Sequence, residues 1–279
     1  MRLLPLLLLP ACAGEPSCPE GEVLVDGACE VYLPDAPVEC PDCWQPAPGT
    51  SWQIQFTGAL DTSLDVQMYD LDLFDAPAAT LQELEADGRA LVCYFSAGSY
   101  EEWRDDAAAF PDEALGEPLE GWEGEWWLDI RHPEVRAIME VRLDEAVARG
   151  CDAVDPDNVN AYTNESGFPL TATEQLSYNR FLADAAHARG LAVGLKNDVE
   201  QIAELVDWFD FQLNEECASY SECGLLAPFT QAGKAAFHIE YVDAWADAEA
   251  LAAEVCGLGP SLDTLIKTWD LGAERLACE

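Results

Sequence analysis

Basic residues are scarce in this chain of 279 residues, which carries 13 lysines and arginines against 54 aspartates and glutamates and has a net charge of −41 at pH 7. A protein that binds nucleic acid needs a basic surface to contact phosphate groups, so this composition excludes a general nucleic-acid-binding function. We expect most of the acids to form a solvated surface that keeps the protein soluble. The alternative is that some of them line a cleft that binds a cationic ligand.

Long apolar runs are also missing beyond the N-terminus, where no stretch approaches the roughly 20 residues that span a bilayer. The chain begins MRLLPLLLLPAC, with a basic start, a leucine run and a small residue before a cysteine. This order is typical of an export signal, and it resembles a bacterial lipoprotein signal. We therefore predict a signal peptide over 1–11 with Cys12 as the lipidation candidate, an ordinary secretory signal being the alternative.

A lipid on Cys12 would be the only membrane anchor that this reading of the sequence provides. Ala13, rather than an acid, follows this cysteine, and by resemblance to bacterial lipoproteins this favours the outer membrane. The predicted localisation is therefore the cell envelope, with the protein exported either as an outer-membrane lipoprotein or in secreted form.

Histidines and glycine-rich loops are too sparse to indicate a metal or nucleotide site. The histidines His132, His187 and His238 are scattered along the chain and do not form a recognisable ligand set. Only Gly58 follows the first predicted strand, whereas a phosphate-binding turn needs several glycines. We predict neither a metal nor a cofactor.

Cysteine, by contrast, is abundant: the chain has 11, and the odd number is explained if Cys12 carries a lipid and the rest form disulfides. Residues 12–50 form a cysteine-rich extension that ends in a Pro/Gly linker and is too small for a core of its own. Cys40 and Cys43 are compatible with a zinc site, but an oxidising compartment favours a disulfide. Elsewhere the predicted pairs are Cys217 with Cys223, Cys93 with Cys151 and, by elimination, Cys256 with Cys278.

From residue 51 onward, short β-rich runs alternate with helical patterns. Strands that alternate with helices indicate a parallel sheet, and eight of them indicate an α/β fold of the (β/α)8 TIM-barrel type. An open doubly wound sheet is the second choice. We predict the barrel over 51–279, preceded by the short cysteine-rich extension. The strand candidates are centred near Ile54, Val66, Val92, Trp127, Val154, Val193, Gln212 and Phe237.

Polar residues follow nearly every predicted strand, where a barrel carries its chemistry. Asp155 and Asp157 are two residues apart, so a strand points both the same way, and like charges held that close are costly unless they are used. The other candidates at strand ends are Asp70, Asp72, Ser96, Asp129, Arg131, Asn158, Lys196, Asn197, Asn214, Glu215, Glu240 and Tyr241.

Paired carboxylates at a barrel mouth suit glycoside hydrolysis, in which one acid protonates the leaving oxygen and the other attacks the anomeric carbon or activates water. Aromatic side chains nearby would supply faces on which sugars stack, with core packing as the alternative for each of them. These aromatics are Tyr94, Tyr100, Trp103, Trp122, Trp126 and Trp127.

Nine motifs carry a resemblance to one family: WQIQFTG, YDLDLFD, VCYFSAGSYEEWR, WLDIR, DAVDPDNVNAY, GFPLT, VGLKND, FQLNEEC and IEYV. In their order they resemble glycoside hydrolase family 114, the endo-α-1,4-polygalactosaminidase-like group. The resemblance implies a (β/α)8 barrel that cleaves a galactosamine-containing polysaccharide. It implies Asp157 of PDN and Glu215 of NE as the catalytic pair. At the position of Asp155 the family often has Glu, so this chain retains a carboxylate on a side chain that is one methylene shorter.

Within this pair we expect Glu215 to be the general acid and Asp157 the nucleophile or base. Asn158 and Lys196 lie near Asp157 and would hold it ionised, whereas Glu215 is expected in a less solvated setting. For Lys196 two readings are equally good: it binds substrate hydroxyls together with Asn197, or it is only a counter-charge that keeps Asp157 or Glu215 ionised. The predicted substrate-binding residues are Asp70, Tyr94, Ser96, Asp129, Arg131, Asp155, Asn158, Lys196, Asn197, Asn214, Glu240 and Tyr241.

The predicted partner is a polysaccharide made cationic by the free amines of galactosamine, which an acidic barrel mouth would attract. An alternative is a catalytically inactive surface lipoprotein that only binds carbohydrate, although both catalytic carboxylates are present. A third, in which the barrel merely displays the cysteine-rich segment, leaves the acids at the strand ends unexplained. The membrane is expected as a partner only through the lipid anchor.

Overall fold

The computed structural model describes residues 22–25, 28–257 and 262–278. The predicted signal peptide and the lipidation candidate Cys12 lie outside the described residues, as does Cys18. Within the described part of the chain, every helix is too short or too polar to cross a membrane.

The described part of the chain contains fourteen strands. They are β1 (Glu22–Val25), β2 (Ala28–Val31), β3 (Trp52–Gln55), β4 (Met68–Asp72), β5 (Ala90–Ser96), β6 (Ser99–Glu101), β7 (Leu115–Pro118), β8 (Glu125–Leu128), β9 (Ala153–Asp157), β10 (Ala192–Lys196), β11 (Phe211–Glu215), β12 (Ala236–Val242), β13 (Asp263–Thr268) and β14 (Leu276–Ala277). The α-helices of the described chain are α1 (Ala78–Ala86), α2 (Pro133–Arg149), α3 (Ala172–His187), α4 (Ile202–Leu205), α5 (Ala227–Gln231) and α6 (Ala248–Val255).

The main sheet has the strand order of a (β/α)8 barrel. Strands β3, β4, β5, β9, β10, β11, β12 and β13 pair in parallel with their neighbours, and β14 adds an antiparallel edge. The two ends of this curled sheet meet: the indole Nε1 of Trp52 donates to the carbonyl of Asp263 at 2.9 Å, and Phe56 N donates to the Leu271 carbonyl at 2.9 Å. The predicted fold class is confirmed.

One strand assignment made from the sequence is wrong. The run around Trp127 forms β8, which pairs antiparallel with β6 and β7 in a separate three-stranded sheet. The eighth barrel strand is instead β13, which begins at Asp263. The run EWWL is apolar enough to resemble a barrel strand, and Trp127 and Leu128 are indeed buried. The run DTLIKT has polar residues at both ends, so its four buried residues are not recognised as a strand from the sequence.

The N-terminal end of the barrel is closed by the segment 34–50. Cys43 is buried in one cluster with Trp52 and Phe211, and the ring of Trp44 meets Phe211 edge-on at a centroid distance of 6.2 Å. The carbonyl of Val38 contacts Nδ1 of His187 at 2.9 Å. These contacts leave the opposite end, where the parallel strands have their carboxyl ends, as the open face of the barrel.

Helix ends in this fold follow local sequence signals. Helix α3 begins with a capping box in which Thr171 accepts from Glu174 N while the Glu174 carboxylate accepts from Thr171 N. Helix α2 begins with Pro133 and stops at Gly150, whose φ of 80° is available to glycine without strain. This stop directs the chain into β9, the strand that carries Asp155 and Asp157.

The three disulfides expected in the barrel are present, joining Cys93 to Cys151, Cys217 to Cys223 and Cys256 to Cys278, and Cys40 is bonded to Cys43. The first of these links β5 to Cys151, two residues before the start of β9, across a sequence separation of 58. The second closes the loop after β11 across a separation of 6.

We expect the Cys93–Cys151 and Cys217–Cys223 disulfides to differ in their contribution to stability, because a longer closed loop restricts the unfolded chain more. Replacing Cys93 and Cys151 by Ala should lower the free energy of unfolding by about 4 kcal/mol, and replacing Cys217 and Cys223 by about 2 kcal/mol. Urea unfolding of both double variants checks this order. Equal losses, or a larger loss for the shorter loop, would contradict it.

Candidate active site

A cavity of about 630 Å³ opens at the carboxyl ends of the barrel strands. It is lined by side chains from the ends of β4, β5, β9, β10, β11 and β12, from the segment after β13, and from the small sheet of β6, β7 and β8. Those from the barrel strands are Asp72, Tyr94, Asp157, Lys196, Glu215 and Tyr241.

Lys196 is the centre of the charged floor. Its Nζ lies 3.2 Å from Asp157 Oδ2, 3.6 Å from Glu215 Oε2 and 3.7 Å from Asp155 Oδ2. Burial lowers the pKa of Lys196, but the surrounding carboxylates outweigh it, Asp157 most, and hold the pKa well above its ordinary value. The ammonium of Lys196 is therefore a cation that Asp157 and Glu215 share.

Glu215 is held by two further polar groups. The hydroxyl of Tyr241 donates to its Oε1 at 2.5 Å, and Asn197 Nδ2 donates to its Oε2 at 3.1 Å. Asn197 has a left-handed φ of 50°, a conformation that Asn adopts more readily than most residues. The turn returns its side chain to β11, where Oδ1 also accepts from Glu215 N at 2.9 Å. Glu215 is thus fixed in position.

Asp157 is oriented by its own turn and by β5. Asn158, at a φ of 61°, donates its backbone N–H to Asp157 Oδ1 at 2.6 Å, while its side chain donates to Ser96 Oγ at 2.8 Å. A Cβ at Gly98 would lie 1.7 Å from the Asn158 carbonyl oxygen, so only glycine lets these segments approach. Ser99 completes the contact with Asn158 at 3.3 Å.

Exposed aromatic side chains border the floor. Trp103, Trp122 and Trp269 line the cavity and are 51%, 54% and 48% exposed. The ring of Trp269 stacks on Tyr241 at a centroid distance of 4.3 Å and an interplanar angle of 17°. Large indoles left half in water on a cavity wall suit stacking against sugar rings.

A second acidic group on the wall was not found from the sequence. Glu101 of β6 and Glu125 of β8 are opposite each other in the small sheet, and both are buried where they line the cavity. Burial raises the pKa of both, that of Glu125 to about 7. Arg104 bridges Glu101 and Asp72, each at 2.7 Å. Trp269 was missed as well, because it follows the strand that sequence reasoning overlooked.

The predicted site residues separate into three groups. Those that line the cavity are Tyr94, Asp157, Asn158, Lys196, Asn197, Glu215 and Tyr241. Those buried beneath it are Asp70, Ser96, Asp155 and Asn214. Those that the structure does not bring to the cavity are Asp129, Arg131 and Glu240.

The last group has other contacts. Asp129 and Arg131 follow β8, which is outside the barrel, and form an ion pair with each other at 2.8 Å. Glu240 is fully buried: it accepts from Ala218 N at 2.7 Å and from Ser219 Oγ at 2.8 Å, so it fixes the loop after β11. The prediction that these three contact substrate at the mouth is therefore corrected.

Within the described residues, one group brings potential metal ligands together: Cys217, Cys223 and His238, whose ligand atoms all lie within 4.8 Å of one another. The two cysteines are bonded to each other. A disulfide offers no thiolate, so this group does not fit a metal.

A parallel barrel whose open end holds two fixed carboxylates, a shared ammonium and exposed indoles defines a barrel enzyme that acts on carbohydrate by acid–base chemistry. The sequence model of glycoside-hydrolase family GH114 matches residues 35–279. The chain belongs to this family and is a glycoside hydrolase.

The chain is also similar to individual proteins. The solved structure of Aspergillus fumigatus Ega3 in complex with galactosamine is 43% identical, with a TM-score of 0.82, over 87% of this chain and 99% of that one. The glycoside hydrolase domain of PelA from Pseudomonas aeruginosa shares the fold at 15% identity, with a TM-score of 0.66, over 82% of this chain and 98% of that one. An uncharacterised protein of Deinococcus radiodurans is 30% identical over 94% of this chain and 96% of its own length.

Tyr241→Phe is expected to lower kcat by about ten- to a hundredfold, because it removes a hydrogen bond to a charged group that contributes about 1.5–3 kcal/mol. The hydroxyl that is lost donates to Glu215 Oε1. Initial rates on α-1,4-linked galactosamine oligomers provide the measurement. Tyr69→Phe is the matched control, since this buried hydroxyl donates to the Leu64 carbonyl outside the site. Unchanged kcat in Tyr241→Phe would refute the positioning role.

Proposed function

We propose that this chain is an exported glycoside hydrolase that cleaves α-1,4-linked, galactosamine-containing polysaccharide within the chain, with Asp157 and Glu215 as the catalytic carboxylate pair. The observation that carries this proposal is the contact of both carboxylates with Lys196 Nζ on the floor of the cavity, at 3.2 and 3.6 Å. Their nearer oxygens can be no farther apart than these two distances added together, a separation that supports their acting on one glycosidic bond.

We assign the roles of the two carboxylates as the sequence predicted them. Asp157 accepts from Asn158 N at 2.6 Å and is the carboxylate nearest to Lys196, contacts that suit a nucleophile or base. Glu215 is left as the general acid that protonates the leaving oxygen. Its hydrogen bond from Tyr241 fixes the carboxyl while a proton is delivered.

The proposed substrate carries free amines. The similarity to Ega3, whose structure was solved with galactosamine, supports this substrate class. So does the acidic lining of the cavity, where Asp72, Glu101 and Glu125 are added to the catalytic pair. A polymer with ammonium groups would be attracted electrostatically, whereas a fully N-acetylated one would not.

Export is part of the proposal. The signal-like start of the chain supports it, and the disulfides across β5, the β11 loop and the C-terminal tail are typical of an oxidising compartment. Lipidation of Cys12 and attachment to the outer membrane are proposed on the same signal. Mass spectrometry of the protein isolated from membranes would test the lipid on Cys12.

The decisive experiment incubates the purified protein with α-1,4-linked galactosamine oligomers of defined length. We expect internal cleavage, and NMR of the first product formed identifies the anomer. Retention indicates carboxyls about 5 Å apart and a covalent intermediate, whereas inversion indicates about 6.5–9.5 Å and direct attack by water. Binding without any chain shortening would instead favour the alternative, a carbohydrate-binding protein that lacks catalysis.

A further inference from the structure

Two carboxylates lie inside the barrel, directly beneath the proposed catalytic pair. Asp70 on β4 and Asp155 on β9 are 0% exposed, and none of their four carboxylate oxygens has a hydrogen-bond partner among the residues that the structure describes. Alternate strands of a barrel contribute to the same interior layer, and β4 and β9 are separated by the single strand β5. These two side chains are therefore an acid pair in the interior of the barrel.

The charges around this pair do not balance if every acid is ionised. Asp155 faces Asp157 on its own strand, Lys196 on β10 and Glu215 on β11; Tyr94 of β5 and Asp70 of β4 are the other titratable groups beside it. Lys196 Nζ lies 3.7 Å from Asp155 Oδ2 but closer to Asp157 and Glu215. One ammonium cannot compensate four buried or half-buried carboxylates, and an uncompensated buried charge is neutralised by a proton.

The direction of the pKa values agrees with this argument. Burial, together with the charges of Asp157 and Glu215, raises the pKa of Asp155 to about 7 even though Lys196 lowers it. Burial, followed by the charge of Asp155, raises the pKa of Asp70 well above its ordinary value. Both directions favour a proton on this pair of carboxyl groups.

We propose that Asp70 and Asp155 share a proton beneath Lys196 and thereby direct its ammonium to Asp157 and Glu215. They are positioning residues: neither lines the cavity, and both act on the reaction through Lys196. While the proton is held, the ammonium serves the two carboxylates above it. When Asp155 ionises, it becomes a third anion in contact with the same cation. This proposal rests on the proposed catalytic pair.

Infrared difference spectroscopy detects the proton without any turnover, so it remains informative even if the proposed substrate is not cleaved. The wild-type spectrum minus that of Asp155→Asn should contain the C=O band of a protonated carboxyl that disappears as the pH rises through about 7. The wild-type spectrum minus that of Asp70→Asn should contain a carboxyl band that persists above this pH, and in Asp155→Asn this band should be lost at a lower pH, because the charge of Asp155 raises the pKa of Asp70. Absence of both bands, or a band of Asp70 whose midpoint does not change in Asp155→Asn, overturns the proposal.

Stability provides a second readout. The pKa of Asp155 rises from about 3.9 in the unfolded chain to about 7 in the fold, so the folded chain binds more protons and loses stability as the pH rises from 4 to 7. Asp155→Asn should therefore raise Tm by about 8–16 °C at pH 8 relative to the wild type, and less at pH 4. A variant that is destabilised equally at both pH values counts against the shared proton.

Kinetics complete the test. The pH profile of kcat in the wild type should contain an ionisation near 7 that is lost in Asp155→Asn, whereas a purely structural contact of Asp155 would leave the shape of the profile unchanged. Asp263→Asn is the matched control, because burial also raises the pKa of this carboxyl, to about 6, but it accepts from Gly49 N at the other end of the barrel. Superimposable profiles in the wild type and Asp155→Asn refute the proposal.

Discussion

Glu215→Gln is expected to lower kcat on α-1,4-linked galactosamine polymer by about 10²–10⁴-fold, because the amide cannot protonate the leaving oxygen. On a glycoside whose leaving group needs no protonation, the same variant should retain most of its glycosyl-cleavage rate. Asp157→Asn is expected to fail on both substrates, because the nucleophile or base is needed whatever the leaving group.

Initial rates of the two variants on both substrates make the measurement. Glu222→Gln serves as the control, since this residue lies in the same disulfide-closed loop after β11 but does not line the cavity. Loss of activity on both substrates in Glu215→Gln, with selective rescue of Asp157→Asn, would reverse the roles. Full activity in either variant would remove that residue from the catalytic pair.

Lys196→Met should destabilise the fold by about 3–5 kcal/mol at pH 8, because it removes one partner of a buried ion cluster and leaves the other charges uncompensated. Asp155, Asp157 and Glu215 all contact the ammonium that is lost. At pH 5 the loss should be smaller, since Asp155, with a pKa of about 7 in the presence of Lys196, is then protonated and needs no counter-charge.

Urea unfolding at pH 5 and pH 8 with the disulfides intact measures this difference. Lys234→Met is the matched control: the Lys234 ammonium donates to the backbone carbonyls of Val206 and Phe209, at 2.6 Å each, so its removal leaves no carboxylate stranded. The free energy of unfolding that is lost in Lys234→Met should be the same at both pH values. A loss in Lys196→Met that does not depend on pH would refute the account of the charged floor.

Much of the site could be predicted from short stretches of sequence. The alternation of Asp155 and Asp157 determines that both point into the barrel, because a strand repeats every two residues, and both indeed contact Lys196. The apolar run before each polar strand end places Tyr94, Asn197 and Glu215 at the open face for the same reason. The spacing of Cys217 and Cys223 was sufficient to indicate their disulfide.

What the sequence could not supply was the path of the chain between these strands. The run EWWL has the composition of a buried strand in either a barrel or a hairpin, and only its antiparallel pairing with β6 and β7 decides which. That pairing places Glu125 opposite Glu101 on the cavity wall and leaves Asp129 outside the cavity. Strand pairing joins residues distant in sequence, and no local pattern encodes it.

The sequence by itself thus determined which side chains of each strand face inward, because that depends only on the two-residue period of a β-strand. Only the tertiary structure decided which strands are neighbours and, with that, which charges share a counter-ion. Lys196 follows Asp157 by 39 residues and precedes Glu215 by 19, yet the three carboxylates it contacts come from β9 and β11 on either side of its own strand. Burial inside the closed barrel makes the stability of these carboxylates depend on the shared cation, because an unpaired charge is far more costly there than in water.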